Sequence, residues 1–303
     1  MMISAVRTSE LGDAFGLLYG PSTADLPGHL DHAFRLIARG ELNPDDVLVA
    51  RIDGVVVGAV LCQPLPGAIA VIWPPRTVDD DPATEDALVS AALRHVVGAK
   101  VVQAFLPPDE LARATPLLRA GFQHIARVWQ MRRDGRSCSA KGGESHVLPR
   151  DDVLTLVPYA ACDSADFERV LMRAHDDSLD CPELHGMRTS VEVLEGYRDC
   201  APDPARWWLA RRHGEGIGVL LLSAVDLIFV GVVPDKREKG IGRTLVEAAC
   251  AIAPVLNVTV DVRNIPAVQL YQSVGFEATG ARDVFIASPP ASAGALATNG
   301  PPI

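Results

Sequence analysis

One stretch limits what this chain can fold into more than any other: the apolar run Leu227 to Val233 meets Pro234, and two glycines then open a helical pattern. Pro234 has no N–H to give a neighbouring strand, so a strand should end there. Leu245, Val246, Ala249 and Ile252 recur at helical spacing, which predicts a helix from Gly242 to Ile252. Lys236, Arg237, Glu238, Lys239, Gly240 and Ile241 lie between, with Arg243 and Thr244 just inside the helix. Glycines at 240 and 242 let main-chain amides approach an anion unhindered by Cβ. The helix start adds unpaired N–H groups and the positive end of a dipole. A pyrophosphate is the natural occupant, although a tight strand-to-helix turn with solvated basic side chains would use the same residues.

The rest of the chain supplies the frame. With 303 residues, 48% of them hydrophobic and 22% charged, two domains of ordinary size are expected. The first half reads as helices Leu11 to Tyr19 and Leu30 to Arg39, then a hairpin, Val47 to Ile52 and Val55 to Cys62, turning at Asp53-Gly54,. A strand Ile69 to Trp73 runs into Pro74-Pro75, followed by a helix Pro82 to Val97, a strand Val101 to Leu106 and a helix Asp109 to Arg119 that Gly121 terminates,. The second half repeats this order: helices Ser164 to Ala174 and Val191 to Arg198, a hairpin Trp207 to Arg212 and Ile217 to Leu222 turning at Gly214-Glu215-Gly216, and the strand-loop-helix above. A strand Val258 to Val262, a helix Pro266 to Val274 and a strand Ala281 to Ala287 complete it. Gly275-Phe276 lies 154 residues after Gly121-Phe122, and Ile217-Gly218 lies 160 after Val57-Gly58. Matching order at a near-constant offset argues for internal duplication. Domains are therefore expected at 1–134 and 146–287, with a Gly/Ser-rich linker at 135–145 and a disordered tail at 288–303,.

Downstream of the anion loop, Val260-Asp261-Val262-Arg263-Asn264 ends a strand, Pro266 suits a first helical position, and Ala267, Leu270 and Val274 share one helical face,. Tyr271 sits at the edge of that face, where the ring can pack and the hydroxyl can reach a cleft,. Val-x-Pro-x-x-Arg-x-x-Gly-x-Gly-x-x-Leu (Val232 to Leu245), followed by Val-x-x-x-Asn-x-x-Ala-x-x-Leu-Tyr-x-x-x-Gly-Phe (Val260 to Phe276), resembles the two signature motifs of the GNAT acetyltransferase superfamily. The resemblance covers roughly residues 150 to 287. It implies an α/β (α+β) fold: tandem GNAT units, each a central mixed, mostly antiparallel sheet flanked by helices, with the fourth and fifth strands splayed. It also implies acetyl-coenzyme A as cosubstrate, with pantetheine along the free strand edge at Gly231, Val232 and Val233, pyrophosphate on residues 237–244, and Asn264 touching the coenzyme arm.

Acyl transfer needs a polarised carbonyl, a deprotonated nucleophile and a proton for the departing thiolate. The resemblance gives the first task to a main-chain N–H near Val233 and the third to Tyr271. A phenol with a pKa of about 10 can protonate a thiolate of about 8.5 when within hydrogen-bond reach. Asp226 and Asp261, beside and inside the two central strands, are the candidates for general base, each open to a plainly structural reading. Asp180, Glu183, His185 and Arg188 lie in the stretch expected to wall the acceptor pocket. Cys181, His185 and His175 could suggest a metal, but no second paired-ligand motif accompanies them, and no metal is expected.

The first half has Trp73-Pro74-Pro75-Arg76-Thr77-Val78-Asp79-Asp80-Asp81-Pro82 where the second has its anion loop. It lacks Gly-x-Gly, its carboxylates would cap the helix and repel a pyrophosphate, and Leu117 stands four residues before Gly121 as Tyr271 does before Gly275,. A degenerate unit without cofactor is expected. The net charge of −10 disfavours nucleic acid. The N-terminus shows no signal pattern and no apolar run spans a bilayer, so the expectation is a cytoplasmic monomer or homodimer, not a membrane protein. The six cysteines, without C-x-x-C, read as reduced thiols,. The acceptor is expected to be a small-molecule or peptide amine. The tandem layout resembles mycothiol synthases, which keeps a mycothiol-precursor-like amine open, and a non-catalytic acetyl-CoA sensor is the alternative class.

Overall fold

The computed structural model describes residues 1–20, 24–135 and 154–289. They form two compact units, one of residues 1–124 with 284 onward, the other of 125–283. The first runs β1 (Met2–Ala5), α1 (Leu11–Tyr19), α2 (Leu26–Ala38), β2 (Val47–Ile52), β3 (Val55–Leu65), β4 (Ile69–Thr77), α3 (Pro82–His95), β5 (Val101–Leu106) and α4 (Thr115–Arg119). Strands β1 to β4 pair antiparallel in sequence order, and β4 pairs parallel to β5 only over Ile69 to Val71. Period-2 alternation sorts the hairpin onto two faces. Val47, Val49, Ala59 and Leu61 pack with α1 and α2, while Leu48, Ala50, Val60 and Cys62 pack with α3.

The second unit takes in β6 (Gln123–Arg133) from Ile125 on, then β7 (Thr155–Pro158), α5 (Ser164–His175), α6 (Ser190–Cys200), β8 (Trp207–Arg212), β9 (Glu215–Ser223), β10 (Asp226–Val232), α7 (Ile241–Ile252), β11 (Leu256–Asp261), α8 (Ile265–Ser273) and β12 (Glu277–Ala287) up to Asp283. Strands β7 to β10 are antiparallel and β10 is parallel to β11. Val219 and Leu221 face α5, whereas Leu220 and Leu222 face α7 and α8. The succession of elements and the pairing of the central strands are the same in both units.

Several sequence expectations need correction. The boundary expected at 134 falls after a strand of the second unit: β6 pairs antiparallel with β11 from Val128 to Arg133, and Met131 lies in that unit's core. Conversely Phe285 and Ala287 at the end of β12 lie in the core of the first. Strand β4 does not stop before Pro74-Pro75 but continues to Thr77, because the register shifts there, between Ala59 and Leu61 of β3, and two missing N–H groups break no regular ladder,. The β8–β9 turn is His213-Gly214, both at positive φ (50° and 79°), one residue earlier than expected,. Asp53-Gly54 (50° and 82°) is the turn expected. Residues 136–145 of the expected linker, and the expected tail beyond 289, lie outside the described residues. No helix among the described residues is long and apolar enough to cross a membrane.

Candidate functional site

Strand β10 carries the first half of the site. It follows β9 as far as Val232↔Gly218, and the Val233 N–H continues the ladder to the Ile217 carbonyl at 3.0 Å. Its other edge meets β11 only at Asp226↔Asn257. From Leu227 onward that edge is left without a β11 partner, an open row of main-chain groups such as an extended ligand can pair with. The close fit explains Gly231: a Cβ there would lie 2.7 Å from the Phe229 ring and 2.8 Å from Ala174 Cβ.

After β10 the chain makes a short 3-10 turn (Pro234–Lys236), passes through Glu238 at φ 62° and enters α7 from Gly240 at φ 78°. Only glycine takes that last conformation without strain. No side chain caps α7, so its first amides point outward, the geometry that holds an anion. Thr244 closes the first turn onto the Gly240 carbonyl with its N–H (3.1 Å) and hydroxyl (3.3 Å). The basic side chains around the loop have local partners. Lys239 Nζ donates to the Asp235 carbonyl, Lys236 pairs with Glu215 at 3.0 Å, and Arg243 donates to Ser273 Oγ at 2.8 Å.

Arg237 is placed differently from the sequence expectation of a phosphate ligand. Its guanidinium donates to four carbonyls: Val232 (3.0 Å) at the end of β10, Ala174 (3.1 Å) in α5, and Asp176 (2.6 Å) and Asp177 (2.9 Å) just beyond it. It fastens the start of the 176–189 loop to the root of the anion loop.

The middle of the 176–189 loop is sewn to β11 and the residues just after it. Asp180 Oδ1 accepts the Asp261 N–H at 2.7 Å, and Asp261 Oδ2 accepts the Cys181 N–H at 3.2 Å. Arg263 donates to Asp261 (2.6 Å from Nη2) and, in a fork, to Glu183 (2.7 and 2.9 Å), which holds the Glu183 carboxyl below its ordinary range. Asp261 is fully buried. Asp226 bonds to Asn257 at the opposite end of β10 from Val232, a separation of about 20 Å for an extended strand. The two carboxylates proposed as base are thus a structural anchor and a remote residue. Asp180 differs: part of the residue is exposed, yet its carboxyl faces the protein, and the burial around it, with the Asp261 carboxylate adding, pushes its pKa up. Its Oδ2 has no hydrogen-bond partner among the described residues.

Tyr271 is buried on α8, its ring 5.5 Å from that of Phe276. Its hydroxyl makes no hydrogen bond among the described residues. Burial, with Asp180 adding, raises its pKa, so it is protonated at neutral pH. Asn264 is the N-cap of α8, its Oδ1 accepting the Ala267 N–H at 3.3 Å,. A cluster of which the sequence offered only His175, as a possible metal ligand, completes the surroundings. The Phe229 ring of β10 stacks on His175 (4.5 Å, 9°), and Tyr197 stands 5.4 Å from it. His175 Nδ1 faces the Leu171 carbonyl at 2.8 Å and therefore carries the proton, leaving Nε2 to accept from the Tyr197 hydroxyl at 2.9 Å,. Burial lowers the His175 pKa and keeps the ring neutral. Of the expected pocket residues, His185 is exposed and Arg188 half-buried. Cys62, Cys162, Cys181, Cys200 and Cys250 are free thiols, and burial pushes Cys62 and Cys181 up to about 12.

In the first unit the Val78 N–H bonds the Val57 carbonyl as Val233 bonds Ile217, and the Phe122 N–H bonds the Leu117 carbonyl as Phe276 bonds Tyr271. These shared bonds put 79–81 where the second unit has 234–240, and a buried leucine where it has Tyr271. Asp81 caps α3, accepting from Ala83 and Thr84, so the helix start is already satisfied.

An open-edged strand, an uncapped glycine-entered helix and a buried tyrosine on the next helix all fall within residues 203–278, which match the Acetyltransferase (GNAT) domain family. Over 97 residues it is 36% identical to the peptidyl-lysine N-acetyltransferase YjaB of Escherichia coli (strain K12), a stretch that is 32% of this chain and 65% of that enzyme. Over 94 residues it is 34% identical to YjaB of Salmonella typhimurium, 31% of this chain and again 65% of the relative. The chain thus spans slightly under two thirds of the length of these curated relatives. The crystal structure of a GCN5-related N-acetyltransferase from Sphaerobacter thermophilus shares the fold over 96% of both chains, with a TM-score of 0.61 at 15% identity.

Proposed function

We propose that this protein transfers an acetyl group directly from acetyl-coenzyme A to a primary amine, at one site per chain, in the unit of residues 125–283. The observation that carries the reading is the continuity of the open β10 edge with the uncapped start of α7, beside a tyrosine whose hydroxyl bonds no described residue. Pantetheine would extend the sheet along Gly231 to Val233, and the pyrophosphate would sit on the amides of residues 240–244. These residues fit the cofactor: Gly240 opens the turn and no side chain caps the helix start.

The chain's own groups then divide the chemistry. A main-chain N–H at the end of β10 polarises the thioester carbonyl. Tyr271 protonates the departing thiolate, a transfer uphill by about 2 kcal/mol between aqueous values of about 10 and 8.5; burial raises the Tyr271 pKa and disfavours the unprotonated thiolate in the same way. Asp180 replaces Asp226 and Asp261 as the base that receives the amine proton, because a raised carboxyl works nearer neutral pH. The likeness to YjaB makes a protein lysine ε-amine the first acceptor to try. The test is acetyl transfer to a panel of lysine peptides and small amines, read as released thiol. The reading predicts transfer that Tyr271→Phe removes while coenzyme binding persists. Coenzyme binding with no transfer to any acceptor would make the chain a binding module.

A further inference from the structure

Register places an arginine of the first unit where the second has its close-packed glycine. Trp73 pairs with Leu61 as Phe229 pairs with Leu221, and Arg76 pairs with Ala59 as Gly231 pairs with Val219. The Arg76 side chain runs from β4 to the end of α1, where its guanidinium lies flat on Gly20; a Cβ there would sit 2.8 Å from Nη1 and 2.9 Å from Cζ. Arg76 is half-buried, its Nε is buried with no hydrogen-bond partner, and none of its nitrogens bonds any described residue. Arg113, from the turn Pro108–Ala114, reaches the same place. It pairs with Glu110, makes only long bonds to the Leu18 (3.5 Å) and Pro74 (3.4 Å) carbonyls, and its own Nε is also buried and unpartnered.

Buried guanidinium donors without acceptors are rare, and each calls for an explanation. Two in one place, on side chains of like charge, strengthen the demand. Burial first, and then Arg113, weaken the hold of Arg76 on its proton, while Glu110 and Asp80 act the other way without accepting a hydrogen bond from it. The neighbouring wall is aromatic: the Tyr19 ring stands 5.7 Å from Trp73 and 5.1 Å from His29, and Trp73 is 36% exposed. An anion between the two guanidiniums would supply the missing acceptors in charge-assisted bonds.

We propose that Arg76 and Arg113 form an anion site in the first unit, separate from the acetyl-transfer site, that takes the carboxylate or phosphate group of a small molecule. The arginine Nε–H resonances of the full-length 15N-labelled protein give a local readout, assigned with Arg76→Gln and Arg113→Gln. Sodium phosphate and sodium acetate are titrated at constant ionic strength set with sodium chloride. The expected result is a saturable shift of both resonances with one anion or both, weakened about tenfold or more in either variant. Which salt acts identifies the group. Arg76→Lys, which keeps the charge without the buried Nε–H, covers the case in which Arg76→Gln does not fold: it should keep weakened binding, read as stabilisation by the anion that is smaller than in the wild type. No saturable shift with either salt, together with an Arg76→Gln variant of lower Tm in plain chloride, would show Arg76 to be a structural prop for α1 and overturn the proposal.

Discussion

Replacing Arg237 with alanine separates two roles that its place in the anion loop would otherwise merge. Its guanidinium makes four hydrogen bonds to carbonyls, two part-buried (Val232 and Ala174) and two exposed (Asp176 and Asp177). A net 1 to 1.5 kcal/mol for each part-buried bond, and little for the exposed ones, gives about 2–3 kcal/mol of stability lost. For a unit of this size that lowers Tm by roughly 4–12 °C. Arg237→Lys should recover only a fraction, since one ammonium cannot span carbonyls on both α5 and β10. Thermal unfolding by circular dichroism, alongside coenzyme A titration calorimetry, reads both effects. The reasoning fails if Arg237→Ala unfolds at the wild-type temperature and loses only coenzyme affinity, because the side chain would then be a phosphate ligand and not a tie between the loop and α5.

Three other outcomes follow from the same geometry. Tyr271→Phe should lower kcat by about 10²–10³ and leave Tm about unchanged, since the hydroxyl has no hydrogen-bond partner among the described residues to lose; unchanged kcat would exclude it as the acid. Asp180 has a folded pKa above its unfolded value of about 3.9,, so its ionisation opposes folding by an amount that grows as pH rises from the unfolded to the folded pKa, is complete above the folded pKa and is gone below the unfolded one. Asp180→Asn, which can still accept the Asp261 N–H, should therefore raise Tm at pH 7 while removing the acidic limb of the kcat/KM profile; a retained limb would point to another base. Gly231→Ala should cost about 1–3 kcal/mol through the clash with Phe229 and Ala174,, and a variant that unfolds like the wild type in urea would contradict the packing.

The parts of the site legible in the sequence were those whose cause is local. Pro234, Gly240 and the spacing after Gly242 dictate strand end, turn and helix within a dozen residues, and the structure has them. Strands β1 and β7 went unread because four residues at a sheet edge carry too short an alternation to stand out,. Partners were harder still. A carboxylate on a strand is visible in sequence, but that Asp226 sits at the wrong end of β10 and that Arg263 occupies Asp261 depends on contacts between residues far apart in the chain. The same holds for Arg237, whose motif position is local and whose four acceptors are not.

The exchange of strand ends between the two halves of the sequence bears on how the chain is made. Phe285 and Ala287 complete the core of a unit whose other residues are translated first, while β6, made early, pairs with β11 of the other unit. A nascent first unit therefore leaves the ribosome with part of its core missing and must wait, partly open, for more than a hundred further residues, about ten seconds or more at usual elongation rates. Cutting the gene at the linker would make that wait permanent for both halves.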